Sequence, residues 1–181
     1  MNDPRRQLAP VMSGKAQNES WYRVFAKGNK TATIELYDEI GIWGTTAKSF
    51  VNELKDLDTK TIELHINSLG GDAWDGIAIY NALRDHSAKV IVTVDGLAAS
   101  AAGLVTMAGD EVIMNRHSEL MIHEAWGMCM GNAEAMADMV TRLDKISANI
   151  AAVYADRAGG TVDCPSASPS TPHGTTSDRP R

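Results

Sequence analysis

A single serine, Ser100, interrupts the run "DGLAASAAG" at 95–103, directly after the β-branched stretch "KVIVTV". Two other short pieces share its chemical promise: "NSLGGD" at 67–72 and "LMIHE" at 120–124. In an α/β unit the loop that leaves the carboxyl end of a strand is where ligands usually sit, and the first two pieces occupy such loops. A serine at the start of a helix is surrounded by backbone N–H groups without helical partners. The N–H of Ala101 can therefore help to hold an oxyanion, and Gly71 can supply a second donor because glycine lets the backbone approach a carbonyl closely. His123, at the end of its own strand, is the candidate general base for the Ser100 hydroxyl. Each piece also has a plain structural reading. Glycine pairs make turns, serine in an alanine run packs helices, and strand-end histidines are commonly just hydrogen-bonded.

The elements around these pieces are readable from periodicity. "WYRVFA" and "TATIELY" alternate and predict a hairpin. "TTAKSFVNELKDL" spaces Ala47, Phe50, Val51, Leu54 and Leu57 as one helical face. "TIELHI" alternates with Ile62, Leu64 and Ile66 on one side, and "AWDGIAIYNALRDH" follows as a helix with Asp72 as its cap. "KVIVTVD" is continuously apolar before its aspartate and reads as a buried parallel strand, with a helix beginning near Ser100. "DEVIM" and "ELMIHE" read as short strands. A long helix over 132–157 comes next, striped by Met136, Met139, Val140, Leu143, Ile146, Ile150 and Val153 and closed by Gly159 and Gly160. Alternating strands and helices define an α/β protein. Residues 1–19 read as a flexible arm, 20–161 as one domain, and the Pro/Ser/Thr-rich 162–181 as a disordered or substituted tail.

Composition narrows the function. The 181 residues carry a net charge of −6 and no basic run longer than Arg5–Arg6, which argues against nucleic acid as a partner. Cys129 and Cys164 stand far apart and form neither a disulfide framework nor a metal pair. "MNDPRRQLAPVM" lacks the apolar core of a signal peptide, and no stretch approaches the ~18 apolar residues of a membrane span. A cytoplasmic location is expected, with no membrane partner. His65, His86, His117 and His173 fit structural or surface roles.

The order of the three pieces resembles the Clp protease proteolytic subunit family, and most closely its phage and prophage head maturation branch. The family's asparagine–serine–proline–glycine–glycine turn and its adjoining helix are matched by "INSLGGDAWDGIAIYNAL", its nucleophile segment by "GLAAS", and its base segment by "LMIHEAWG". "YDEIGIWGTTAKSFVNEL" is similar to the phage branch, and the likeness runs from about Trp21 to Thr161. The resemblance implies a crotonase-like spiral of ββα units with a projecting long helix for oligomerisation. It implies Ser100 as nucleophile, His123 as base, Gly71 and Ala101 as oxyanion donors, and Gly70 beside them on the substrate-binding edge. It also implies acyl transfer on protein or peptide substrates in a homo-oligomeric ring, without cofactor or metal; whether an unfoldase ATPase is required is not implied either way. Gly71→Ala is expected on this reading to lower turnover more than stability.

Two departures stand out. Leu69 replaces the usual proline of the glycine turn, and no family-like segment is recognisable after about Asp163. Asp163 and Asp178 are the nearest acids by position, neither has family context, and the third member of the triad is unknown. Two alternatives therefore stay open: a protease-like subunit that assembles but cleaves poorly, and an acyl-CoA hydratase-type enzyme on the same fold, which gives Ser100 and His123 no role.

Overall fold

The computed structural model describes residues 22–27 and 31–160. The 1–19 arm, the tail from 161 and the acids Asp163 and Asp178 lie outside the described residues. The described residues form a six-stranded sheet with helices, in the order β1 (Tyr22–Lys27), β2 (Thr31–Leu36), α1 (Ala47–Lys55), β3 (Thr61–Ser68), α2 (Ala73–Asp85), β4 (Lys89–Ala99), α3 (Ala101–Thr106), β5 (Glu111–Met114), β6 (Glu119–Met121) and α4 (Ala133–Ala158). β1 pairs antiparallel with β2, and β2, β3, β4 and β5 run parallel in that spatial order. Parallel neighbours need a crossover, and α1, α2 and α3 supply them.

The period-2 pattern places one face of the sheet in the core. Ile34, Leu36, Ile62, Leu64, Ile66, Val90, Val92 and Val94 are buried against Phe50 and Leu54 of α1, Ile79 and Leu83 of α2, and Val105 of α3. Fully burying side chains of this size contributes roughly 1.5–3 kcal/mol each. β4 departs from the sequence expectation here: it is buried on one face only, with Ile91, Thr93 and Asp95 half-buried on the other. The cap at Asp72 is as expected, and side chains at two other helix starts act likewise. Thr46 accepts from Ser49 N–H, Asp72 from Trp74 and Asp75 N–H, and Asn132 from Ala135 N–H. Gly159 ends α4 in the left-handed conformation at φ 69°.

A second difference concerns the far end of β4. The strand was expected to end at Asp95 but continues through Gly96, Leu97 and Ala98 to Ala99. β5 pairs with Ile91–Val94, and β6 then lies farther along the same edge, pairing with Leu97–Ala99. Pairing with a non-local strand overrides the weak β-propensity of Gly-Leu-Ala-Ala. Small residues are needed there, since Ala98, Ala99 and Ala102 are fully buried and Gly76 of α2 touches Ala101. α4 stands apart: Ile146 is its buried residue, while Met136 and Val140 are 43% and 59% exposed. Among the described residues no helix is long and apolar enough to cross a membrane.

Candidate active site

The extension of β4 places Ser100 at a strand-to-helix corner with φ 54° and ψ −123°. A non-glycine residue with positive φ is uncommon and is held only where its surroundings over-determine it. Here the Ser100 N–H donates to the Met121 carbonyl of β6 at 2.9 Å, while the Ser100 carbonyl accepts from Leu104 N–H at 3.2 Å. The hydroxyl makes no cap bond to its own helix. The side chain is thus presented at the corner rather than used to finish α3. Because α3 has six residues, the local N–H groups matter more than any helix dipole.

The glycine turn lies against this corner. Gly70 has φ 84°, and a Cβ there would meet the Ala99 carbonyl, the Ala101 nitrogen and the Ser100 Cβ. A segment spanning Ile40–Thr45 holds the turn from the other side. Ile40 N–H donates to the Gly70 carbonyl at 2.8 Å, and Asp72 N–H donates to the Ile40 carbonyl at 2.7 Å. Both bonds flank Gly71, and among the described residues no hydrogen bond uses the N–H of Gly71 or of Ala101. Both N–H groups belong to residues that line the same cavity as Ser100.

Gly71 has no room for a side chain. Its φ is 146°, and a Cβ would collide with the Ile40 carbonyl oxygen. Backbone strain and a backbone clash act together at this position, so Gly71→Ala carries a stability cost as well.

His123 lies two residues past the end of β6, on an exposed loop rather than on the strand. Its Nδ1 is 2.6 Å from the Glu124 carbonyl oxygen. A carbonyl only accepts, so Nδ1 carries a proton; in the neutral ring this leaves the lone pair on Nε2, the tautomer a general base needs. Ser100, Ala101, Gly70, Gly71 and His123 all line one cavity of about 960 Å³. Among the described residues no hydrogen bond joins Ser100 to His123. Contacts of this kind commonly tighten only when substrate is bound.

The rest of the cavity wall was not assigned from the sequence. Met139, Leu143, Ile146, Ile150 and Tyr154 of α4 form an apolar side, and Leu69, Trp74 and Trp126 stand at its exposed margin. Among the described residues the buried Tyr154 hydroxyl has no hydrogen-bond partner; it lies close against Gly103, and burial pushes its pKa up to about 12. The i, i+4 spacing of the α4 stripe was visible in sequence; that one side of it faces Ser100 was not.

A family profile described as Clp protease matches residues 16–166. The chain is 32% identical over 108 residues to the ATP-dependent Clp protease proteolytic subunit of Pleurastrum terricola, covering 59% of this chain and 55% of that one. It is 30% identical over 139 residues to the subunit of the same name in Bacteroides fragilis, covering 71% and 67%. A third, from Chlorokybus atmophyticus, is 31% identical over 131 residues, covering 71% and 57%. The chain thus spans between just over half and about two thirds of the length of these relatives. With the serine corner, glycine turn and histidine loop in family order around one cavity, the chain belongs to the Clp protease family.

Proposed function

We propose that this chain is a serine endopeptidase subunit of Clp type. The observation that carries the reading is the positive-φ corner at Ser100, abutting a glycine turn with a free N–H and sharing its cavity with the Nε2-available tautomer of His123. His123 Nε2 takes the Ser100 proton as Oγ attacks a peptide carbonyl, and the oxyanion rests on the N–H groups of Gly71 and Ala101. The imidazolium returns the proton to the leaving amine, and water then cleaves the ester by the same route. Gly70 lies where an extended substrate backbone would pass. The protein substrate, the crotonase-like spiral, a homo-oligomeric ring and a role in phage head maturation derive from the family likeness, the last from the "YDEIGIWGTTAKSFVNEL" stretch in particular. Labelling with a peptidyl phosphonate tests the reading: the parent should carry the label on Ser100, and Ser100→Ala should carry none.

One observation favours a second reading, an assembly subunit that cleaves poorly. The His123 Nδ1 proton is taken by a backbone carbonyl rather than by a carboxylate. A carbonyl fixes the tautomer but returns less electrostatic stabilisation to the imidazolium than a carboxylate does.

A further inference from the structure

Asp95 gathers three side chains from three other segments. Its Oδ2 accepts from Tyr37 Oη at 2.7 Å and from His65 Nδ1 at 2.9 Å, and its Oδ1 accepts from Asn115 Nδ2 at 2.7 Å. Tyr37 comes just after β2, His65 is in β3, and Asn115 comes just after β5, so one carboxylate ties together the carboxyl-end regions of four neighbouring parallel strands. Hydrogen bonds to an ionised acceptor are about twice as strong as neutral ones. The bond to Asp95, together with the smaller effect of desolvation, also pushes the Tyr37 hydroxyl up to about 12, so it remains a donor at neutral pH.

The position of this hub in the sheet gives it a consequence for the site. β3 and β4 are in register up to Ile66 opposite Val94 and again at Ser68 opposite Ala98. Between these points β4 places Asp95, Gly96 and Leu97 where β3 places Asn67 alone. Such an irregularity bends a strand and re-aims the residues beyond it, and Ser100 is among those residues in β4. Asn67 bridges the gap, with its Oδ1 accepting from Leu97 N–H at 3.2 Å. Asp95 grips the start of the same irregular stretch. A chain of bonds then leads from Asp95 to the glycine turn. Tyr37 is fixed by Asp95, the next residue's carbonyl, that of Asp38, accepts from Ser68 Oγ, and Ser68 Oγ in turn accepts from Gly70 N–H at 3.1 Å.

We propose that Asp95 is a positioning residue: through Tyr37, Asp38 and Ser68 on one side and the β4 irregularity on the other, it sets the glycine turn against the Ser100 corner. The proposal rests on the reading of Ser100 and Gly71 as the reacting centre only for its catalytic consequence. The geometric claim stands on the bonds themselves.

The test combines amide hydrogen exchange with affinity for a dipeptide boronate ending in leucine, measured on the parent, Asp95→Asn and Tyr37→Phe. Lys89→Ala, in an exposed ion pair at the other end of β4, serves as the control. Loss of the hub should speed exchange at Ile40, Gly70 and Asp72 by about tenfold or more while β3 itself is unchanged, a local opening rather than a global one. Boronate affinity should fall by about tenfold in both variants, since a misplaced oxyanion turn weakens a tetrahedral adduct. Unchanged exchange at those three amides, or a uniform rise across β3 and β4, overturns the proposal. Exchange that responds as expected in a parent that forms no boronate adduct supports the clamp and counts instead against the peptidase reading.

Discussion

The Nδ1–H of His123 is held by the backbone carbonyl of its neighbour Glu124, at 2.6 Å. That bond does half of what a triad carboxylate does. It selects the tautomer with a basic Nε2, but it adds no negative charge to balance the imidazolium formed in the transition state. Joining a full family C-terminus after Thr161 should therefore raise peptide turnover by more than tenfold, about 1.4 kcal/mol of barrier. Steady-state hydrolysis of a fluorogenic peptide by parent and chimera checks this. A smaller gain would mean that the carbonyl suffices.

Gly70→Ala and Gly71→Ala should each lower both activity and stability. At Gly70 the new Cβ meets the backbone on both sides of Ser100, and at Gly71 it meets the Ile40 carbonyl, with positive φ at both positions. Phosphonate labelling should fall by about 10² or more, the cost of losing one oxyanion donor, and thermal melts should shift downward. Full labelling in a folded Gly71→Ala variant would remove Gly71 from the oxyanion role.

Self-association should depend on the outward face of α4. Within the α4 stripe Met139 and Leu143 are half-buried and line the cavity, whereas Met136 and Val140 are exposed. Met136→Glu with Val140→Lys should yield smaller particles in sedimentation velocity with helicity unchanged. Unaltered particle size would place the assembly surface elsewhere.

Tyr154→Phe should be stabilising. It removes a buried hydroxyl that has no partner among the described residues, a group whose desolvation costs roughly 1–3 kcal/mol. The pH dependence has a definite sign. The folded pKa of Tyr154 is about 12 against an ordinary 10.0, so between those values the unfolded chain has lost a proton that the folded chain keeps. Stability should therefore fall as pH rises above about 10, and fall less steeply in Tyr154→Phe. Denaturant melts at pH 8 and pH 11 on both proteins measure this, and equal slopes would contradict it.

Much of the scaffold was legible because local pattern and global fold agree. The alternation of "TIELHI", the cap at Asp72 and the long helix α4 each appear as expected. The three site segments were legible from their order. The features that escaped sequence reasoning depend on partners distant in the chain. β4 runs on to Ala99 because β6 pairs with it, Ser100 adopts positive φ because Met121 and Leu104 hold it from both sides, and His123 falls beyond its strand. Asp95 went unremarked because it looked like the end of a strand. A signal was present: His65 and Asp95 both fall on the polar face of adjacent strands, where side chains meet.

The central claim is that Ser100 is the nucleophile, and the most direct measurement is the site of covalent modification. After incubation with a peptidyl phosphonate, peptide mapping by mass spectrometry should find one adduct, on Ser100. It should be absent in Ser100→Ala and formed much more slowly in His123→Ala. An adduct on another residue, or labelling of Ser100→Ala at the parent rate, would contradict the account.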